Sequence, residues 1–339
     1  MLTTLKSGFY LGVDCGTTKA EAVISDESGF VIGRAITDGG NPHNNRLDNL
    51  IGTIQRVVEL AKADAQTHYP DRAVESFYAG CIGLAGLDTP GDHAKLREHV
   101  QNLPKGWLPG VNRLAIVNDG MVGLKAGTEK NWGICIRAST GSSCYGLGQS
   151  GQECKAGGWG YILGDQGSAY GIGRRLLRHV MREYDGRSAP TKISEVVLKH
   201  LGLHAPDELV SWVYQSMEVP VHEVADLAVL CNDPLLQDSV EVEDIVSRAI
   251  REIVIDFEAV IKQISLPSNQ EIPVVLFGSI FQIRGRFYEQ VVRGILNRTP
   301  NASVVLPNRS GAEGAIRVAQ MCDSMELMSN DSVMVISSY

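Results

Sequence analysis

The chain has 339 residues, of which 44% are hydrophobic, and a formal net charge of −8. That length and hydrophobic content allow two domains with cores of their own, and no apolar run reaches the length that a membrane-spanning helix needs. The net negative charge disfavours a nucleic-acid partner, so an anionic ligand would have to be held by local amides, a metal ion and a few cations.

The first part of the chain alternates predicted strands and helices, as in α/β proteins. Apolar residues with a helical period predict a helix over Leu47–Gln66. Apolar and alternating runs predict strands at Phe9–Asp14, Ala20–Ser25, Val31–Ile36, Phe77–Leu84 and Leu114–Asn118.

The turn between the first two strands has a composition suited to phosphate. Asp14 ends the first strand, and Cys15-Gly16-Thr17-Thr18-Lys19 follows. Small residues in such a turn let backbone N–H groups approach an anion closely, and an Asp can hold Mg²⁺, usually through water. No Walker-type Lys-Ser/Thr pair opens a helix here, so the turn is not a P-loop. An ordinary polar hairpin explains the same residues equally well.

A second segment of the same kind lies about a domain's length further on. Trp132–Ala138 reads as a strand, Ser139–Ser143 as a turn of hydroxyl residues and glycine, and Cys144–Gly148 as a strand again. The repetition resembles the plan of the actin–hexokinase–heat-shock ATPase superfamily, in which two hairpin turns hold one polyphosphate, and this resemblance favours the phosphate-binding interpretation of both turns.

The C-terminal part is predicted to continue with helices and buried strands. Asp238 and Glu241 form a capping-box pattern, which opens a helix with apolar residues at helical spacing that ends before Pro267. Strands are predicted at Pro273–Gly278 and Ala302–Leu306, and a last helix at Ser310–Met321.

The residues after the second turn resemble a known family. Gly157–Gly160 and Gly164–Tyr170 read GGWG and GDQGSAY, similar to the GGWG…GDEGSAYW signature of the N-acetylglucosamine kinase branch, which is grouped with the BadF/BadG/BcrA/BcrD ATPases. Gly83–Asp88 and Asn118–Gly120 stand where that family has its GLAG and (T/N)DA segments. The resemblance runs from about residue 12 to residue 319.

This resemblance implies two ribonuclease H-like α/β domains of the actin–hexokinase–heat-shock ATPase superfamily, with mixed sheets flanked by helices and an interdomain cleft. We expect the domains at 1–117 and 118–322, followed by a tail at 323–339. The implied activity is transfer of a phosphoryl group from ATP, with Mg²⁺, to the 6-hydroxyl of an amino sugar, with N-acetylglucosamine favoured. A homodimer is expected from the family's tendency to dimerise, with neither a nucleic-acid nor a membrane partner.

Asp119 is the residue that the resemblance implies as the catalytic base, which deprotonates the sugar hydroxyl. It follows an apolar strand and precedes a small-residue turn, at the carboxyl edge where α/β sheets bind ligands. The alternative is an N-cap for a helix over Met121–Ala126, and one residue can do both.

The resemblance also implies the other ligand contacts. ATP and its phosphates are expected at Asp14, Gly16, Thr17, Thr18, Lys19, Thr140, Gly141, Gly278 and Ser279, with Asp14 also holding Mg²⁺ through water. The sugar is expected at Asn41, Asp119, Ser142, Ser143, Gly158, Trp159, Gly160 and Asp165. Simpler explanations stay open: an exposed strand lysine for Lys19, a turn residue before proline for Asn41, a core plug for Trp159, and a generic strand-to-helix loop for Gly278-Ser279.

Three departures from the family pattern affect the choice of sugar. The first turn reads Asp-Cys-Gly-Thr-Thr where this branch usually has Asp-Gly-Gly-Gly-Thr, as in the larger FGGY sugar kinases. In the second turn, Ser139 stands for a usual Gly, and Ser143 for an Asn that contacts substrate in the animal enzymes. Gln166 replaces a usual Glu. Such changes can redirect specificity, so glucosamine, N-acetylmannosamine, N-acetylmuramic acid and an unamidated hexose remain open.

Two other functional classes remain open as well. An ATPase activator of a dehydratase or reductase would share the fold but needs cysteines at a subunit interface for an iron–sulfur cluster. The seven cysteines here include no C-x-x-C pair, which is typical of reduced thiols in a cytosolic protein, and the N-terminus lacks the zones of a signal peptide. The second class is a sensor that has lost catalysis, against which the retention of Asp14 and Asp119 argues.

Overall fold

A computed structural model describes residues 8–40, 47–111, 113–214, 221–267, 269–324 and 333–335. Its strands are β1 (Phe9–Cys15), β2 (Lys19–Ser25), β3 (Val31–Asp38), β4 (Phe77–Leu84), β5 (Leu114–Asn118), β6 (Gly133–Ala138), β7 (Ser142–Leu147), β8 (Glu153–Gly157), β9 (Ile272–Phe277), β10 (Ala302–Val305) and β11 (Val333–Val335). Its α-helices are α1 (Leu47–His68), α2 (Pro90–Gln101), α3 (Asp119–Gly127), α4 (Gly160–Leu163), α5 (Ala169–Tyr184), α6 (Lys192–Leu201), α7 (Glu208–Tyr214), α8 (Val221–Asp226), α9 (Val240–Ile261), α10 (Arg284–Leu296) and α11 (Gly311–Ser324). Within these ranges, no helix combines the length and the apolar character that crossing a membrane requires.

The chain forms two compact units that interleave along the sequence. The first contains the described residues of Met1–Cys135, Leu147–Glu153 and Val305–Tyr339, and the second those of Ile136–Gly146 and Cys154–Val304. The sequence predicts two continuous domains, divided at residue 117 and ending at residue 322, whereas each compact unit combines separate stretches of the chain. The predicted division stays a prediction.

The first unit is built on a six-stranded sheet with the order β11-β5-β4-β1-β2-β3. Strands β1, β2 and β3 are antiparallel neighbours, whereas β1, β4, β5 and β11 are joined by parallel pairings. Cys15 is in register with Leu84, and Leu84 with Asn118. The carboxyl ends of β1, β4 and β5 therefore lie side by side, at the edge where such sheets bind ligands.

The two faces of this sheet are covered by different helices. Leu11 and Val13 belong to a core cluster with the apolar stripe of α1, and this stripe confirms the helix predicted there. Helices α3 and α11 pack on the opposite face. A side chain at position 12 would lie on that face. A Cβ at Gly12 would lie 2.1 Å from the carbonyl oxygen of Ala312. The glycine therefore lets α11 approach β1 next to Asp14.

The second unit repeats this plan around a sheet with the order β10-β9-β6-β7-β8. The strand order β5-β4-β1-β2-β3 in the first unit is the same arrangement. In both units the central strand, β1 or β6, is followed on one side by the next two strands of the chain. Helices α5 and α9 contact each other in this unit, and a Cβ at Gly146 of β7 would lie 2.5 Å from Val260 of α9. The predicted fold class, α/β with mixed sheets flanked by helices, is confirmed.

One local prediction in the C-terminal part is wrong. The N-cap of α9 is Ser239, not Asp238, because the Ser239 side chain accepts the N–H of Val242. Within the segment 323–339, whose role as a tail stays a prediction, Val333–Val335 form β11, which pairs with β5 in parallel. No periodicity in the sequence indicates so short a strand, because its pairing depends on the neighbouring sheet edge.

Candidate functional site

Asp119 opens α3 directly after β5, and its neighbour Asn118 caps that helix. The Asn118 Oδ1 accepts the N–H of Gly120 at 2.8 Å, and its Nδ2 donates to the carbonyl oxygen of Leu87 at 3.0 Å and to Asp88 Oδ1 at 3.1 Å. The alternative interpretation of Asp119 as the N-cap is therefore wrong. Asp119 instead lies in the first turn of α3, where the helix dipole stabilises a carboxylate.

Asp14 and Asp119 lie at the same edge of the first sheet. Cys15, Leu84 and Asn118 lie side by side on β1, β4 and β5. Asp14 is the residue before Cys15 in the chain, and Asp119 is the residue after Asn118. Two strand spacings separate β1 from β5, or about 10 Å. Burial raises the pKa of the Cys15 thiol to about 12, and the charges of Asp14 and Asp119 contribute to the rise. Both carboxylates are therefore close enough to the Cys15 thiol to affect its pKa.

The first turn is closed on itself and supported by two glycines. The Gly16 N–H donates to the carbonyl oxygen of Lys19 at 2.9 Å, and the N–H groups of Gly39 and Gly40 donate to the carbonyls of Thr18 and Gly16 at 2.9 and 3.0 Å. A Cβ at Gly39 would lie 2.3 Å from the Gly16 oxygen. Sequence reasoning did not identify this support, whose signal is the Gly-Gly pair after β3.

Three predicted phosphate ligands of this turn, Thr17, Thr18 and Lys19, are exposed, and Gly16 is half-buried. Lys19 is the first residue of β2 and stands opposite Asp38 of β3. Asn41, the predicted sugar ligand, lies outside the described residues.

Asp14 is 8% exposed and lies against the beginning of α11. A Cβ at Gly311, the first residue of α11, would lie only 2.0 Å from Asp14 Oδ2. A capping box fixes this helix start: the Ser310 N–H donates to Glu313 Oε2 at 2.8 Å, and the Glu313 N–H donates to Ser310 Oγ at 3.3 Å. Gly311 was not predicted as a site residue, although the Ser-x-x-Glu pattern around it marks the helix start.

The second turn, between β6 and β7 in the second unit, is held by the GDQGSAY segment. Within the turn, the Ser139 N–H donates to the Gly141 carbonyl at 2.8 Å. The Ser142 N–H donates to Asp165 Oδ1 at 2.9 Å. Two predicted sugar ligands, Ser142 and Asp165, are therefore bonded to each other.

The glycines of the GGWG block adopt backbone conformations that other residues rarely take. Gly157, Gly158 and Gly160 have φ values of 71°, 71° and 78°. A Cβ at Gly158 would lie 2.9 Å from the Cβ of Ser143, so the structure brings these two predicted sugar ligands side by side.

Trp159 is 50% exposed, so the interpretation of this residue as a core plug is wrong. The ammonium of Lys155 lies 5.5 Å from the centroid of its ring, a cation–π distance. The block therefore presents an aromatic face and a cation at the surface of the second unit.

Asp256 of α9 lies behind the GGWG block, and sequence reasoning missed it. A Cβ at Gly157 would lie 2.5 Å from its Oδ2. Burial raises the pKa of the Asp256 carboxyl to about 6; the charges of Glu252 and Asp165 raise it further and Lys155 opposes them. A single Asp within a helical apolar stripe does not predict this contact, because only the packing of α9 brings Asp256 beside Gly157.

Gly278 lies against the end of β6, where the second turn begins. Its φ is 130°, and a Cβ there would lie 2.0 Å from the carbonyl oxygen of Ala138. Ser279 opens a 3₁₀ segment, Ser279–Gln282. The predicted nucleotide residues of the second unit, Thr140, Gly141, Gly278 and Ser279, are thus neighbours around one strand end, and their roles stay predictions.

Comparison with known proteins identifies a family and its relatives. Residues 11–319 match the BadF/BadG/BcrA/BcrD ATPase family. An N-acetylmuramic acid/N-acetylglucosamine kinase of Clostridium acetobutylicum is 26% identical over 318 residues, which cover 93% of this chain and 99% of the relative. An N-acetyl-D-glucosamine kinase of Dictyostelium discoideum is 27% identical over 321 residues, covering 91% and 97%.

The fold has a close counterpart among solved structures. A crystal structure of a candidate N-acetylglucosamine kinase from Chromobacterium violaceum superposes with a TM-score of 0.71 and 21% identity, covering 92% of this chain and 99% of that one. At this level of identity the likeness establishes the shared fold.

Proposed function

The chain belongs to the BadF/BadG/BcrA/BcrD ATPase family, and from that premise we propose that it is an ATP-dependent kinase for the 6-hydroxyl of an amino sugar. The observation that carries the proposal is Asp119 at the carboxyl edge of β5, with the capping of α3 left to Asn118. N-acetylglucosamine is the favoured acceptor, because the Clostridium and Dictyostelium relatives are both named for it.

In this proposal Asp119 is the general base. The sugar 6-oxygen attacks the γ-phosphorus of ATP, the bond from that phosphorus to the bridging oxygen breaks, and ADP leaves. The hydroxyl proton passes to the Asp119 carboxylate. Phosphoryl transfer depends mainly on positioning and on neutralising charge, tasks that we assign to the two glycine-containing turns, to Lys19, and to Gly278 and Ser279 for the nucleotide.

Asp14 fits the expected role at Mg²⁺. Its carboxylate offers the oxygen ligands that Mg²⁺ prefers. Because Gly311 has no side chain, the space beside this carboxylate is not filled by a Cβ. Mg²⁺ bound with ATP would neutralise negative charge on the phosphates. Asp14 would then hold the ion, through water, at the end of β1.

For the sugar we propose contacts from Ser143, Gly158, Trp159, Gly160 and Asp165, together with Ser142 and Asn41. The adjacency of Ser143 and Gly158 supports this set. N-acetylmuramic acid is the second acceptor to test, because the Clostridium relative is named for it too and because the cation of Lys155 lies beside Trp159, where it would attract an acidic substituent.

An ATPase activator is the weaker alternative. Such a protein would need accessible thiolates for an iron–sulfur cluster, whereas all seven cysteines here are buried. Iron analysis after anaerobic purification separates the two functions. We further infer a homodimer in the cytoplasm, and light scattering tests the oligomeric state.

The test is an ATP-coupled assay over a panel of hexoses and amino sugars, with the phosphate position assigned by NMR. We expect turnover with N-acetylglucosamine, phosphate on the 6-oxygen, and loss of turnover in Asp119→Asn. Turnover with no sugar above the ATPase background, or phosphate on the anomeric oxygen, would contradict the proposal.

A further inference from the structure

The second turn and the GDQGSAY segment form one hydrogen-bonded unit. The N–H groups of Ala169 and Tyr170, at the start of α5, donate to the carbonyl oxygens of Ser139 and Thr140 at 2.9 and 3.3 Å. From the other direction, Asp165 Oδ1 accepts the N–H of Ser142 at 2.9 Å. The turn is therefore held through two of its carbonyls and one of its amides by residues of the GDQGSAY segment, of which Asp165 is a predicted sugar ligand.

Asp165 has a backbone conformation that keeps its carboxylate on the turn. Its φ of 60° makes it the one non-glycine residue with positive φ among the described residues, a conformation that Asp tolerates better than most residues. The Ser168 Oγ donates to the Asp165 carbonyl at 2.6 Å, and the Ser168 N–H donates to it at 3.2 Å. These bonds stabilise the left-handed residue, because they fix its carbonyl.

Gly141 provides the space that the Asp165 carboxylate occupies. A Cβ at Gly141 would lie 3.0 Å from Asp165 Oδ1 and 3.2 Å from Oδ2, closer than an ordinary contact. The carboxylate therefore lies directly over the turn backbone, and its bond to Ser142 orients the peptide groups that precede β7.

We propose that Asp165 is a positioning residue for the second phosphate turn, in addition to any contact with the sugar. By holding the Ser142 amide it fixes the turn in the shape that binds the nucleotide phosphates, so nucleotide affinity depends on Asp165 even without sugar. The proposal rests on the kinase function proposed above. It makes Asp165 the link through which occupation of the sugar block affects phosphate binding.

The test compares Asp165→Asn with Asp165→Gly in the full-length protein. Both residues tolerate positive φ, but only Asn keeps an acceptor for the Ser142 N–H, so the pair isolates the hydrogen bond. Affinity for a non-hydrolysable ATP analogue is measured with Mg²⁺ and no sugar. We expect Asp165→Gly to weaken binding about tenfold or more, and Asp165→Asn to stay within about twofold of the unaltered protein.

A role confined to the sugar would leave the affinity for the analogue unchanged in both variants and raise only the sugar KM, and that result would overturn the proposal. Failure of the unaltered protein to bind the analogue would overturn the kinase function itself. Hydrogen exchange at the Ser142 amide gives a readout that needs no variant: we expect slow exchange, and rapid exchange in the unaltered protein would also overturn the proposal.

Discussion

Asn118 and Asp119 are adjacent in the chain but serve different purposes. The Asn118 side chain is engaged by the backbone of α3 and by the segment after β4, through bonds of 2.8 to 3.1 Å. Asp119 follows it at the helix start. Because the cap is a separate residue, the structural and the chemical contributions at this strand end can be measured separately.

We expect Asp119→Asn to lower kcat by about 10²–10⁴, the usual effect of removing a general base, with nucleotide affinity and melting temperature close to those of the unaltered protein. The matched control is Asn118→Ala, which should lower the free energy of unfolding by about 1 kcal/mol through loss of the cap. Near-normal kcat in Asp119→Asn would show that another carboxylate is the base, with Asp165 the next candidate.

Gly311 is a second position where one residue affects the proposed site. We expect Gly311→Ala to weaken Mg²⁺–nucleotide binding by about tenfold or more, the usual scale of an overpacking cost, because the added Cβ would lie 2.0 Å from Asp14 Oδ2 and displace either the carboxylate or α11. Titration of the Mg²⁺–nucleotide complex measures the effect.

The control for Gly311→Ala is Gly52→Ala in α1, where a Cβ meets nothing within 4 Å. That substitution should raise the free energy of unfolding by up to about 1 kcal/mol, the helix preference of Ala over Gly, and leave nucleotide binding unchanged. Equal nucleotide affinity in both variants would mean that Asp14 does not depend on the start of α11.

At the scale of elements, α9 supports the GGWG block from behind. Its apolar stripe is buried, and it brings Asp256 against Gly157. The pKa of Asp256, raised to about 6, means that the folded state holds this proton more tightly than the unfolded state does. Its contribution to stability is therefore complete below about pH 4 and is lost as the pH rises through about 6.

We expect Asp256→Asn to remove this pH dependence. The variant should match the unaltered protein near pH 3, where the carboxyl is protonated in the folded state and mostly protonated in the unfolded state, and exceed it by about 3 kcal/mol in the free energy of unfolding at pH 7. Chemical unfolding at several pH values measures the difference. A variant less stable than the unaltered protein at pH 7 would show that the ionised carboxylate makes favourable contacts in the fold.

At the scale of the whole molecule, the same plan occurs twice. In each unit a central strand and its hairpin partner are joined by a short turn of small and hydroxyl residues, and the remaining strands follow in the same order. Repetition of the plan gives the chain two equivalent turns. They are supported differently, the first by Gly39 and Gly40 and the second by residues 165–170.

The cysteines provide a test that covers both units. All seven are buried and free, and burial raises the pKa of Cys15 to about 12 and those of Cys81 and Cys322 above their ordinary value. Because the thiolate is the reactive form, we expect slow reaction with a thiol reagent at pH 8 in the folded protein. All seven should react after unfolding, and rapid reaction of several before unfolding would contradict this burial.

Some of this structure follows from residues that are close together in the sequence. The predicted strands Phe77–Leu84 and Leu114–Asn118 have the observed bounds, because each is an apolar run bounded by breaks in the pattern. The stripe of α1 and both hairpin turns are equally local. The GGWG and GDQGSAY segments indicated the family, since a motif is a property of neighbouring residues.

Other features required the tertiary structure. The sequence pattern predicted Asp238 as the cap of α9, whereas hydrogen-bond geometry makes Ser239 the cap; at α3 the same geometry makes Asn118 the cap. The contact of Gly311 with Asp14, of Asp256 with Gly157 and of Asp165 with Ser142 each joins separate elements. The physical reason is that strand order and helix packing determine which distant residues meet, whereas the sequence pattern alone determines only which residues form a strand, a turn or a helix.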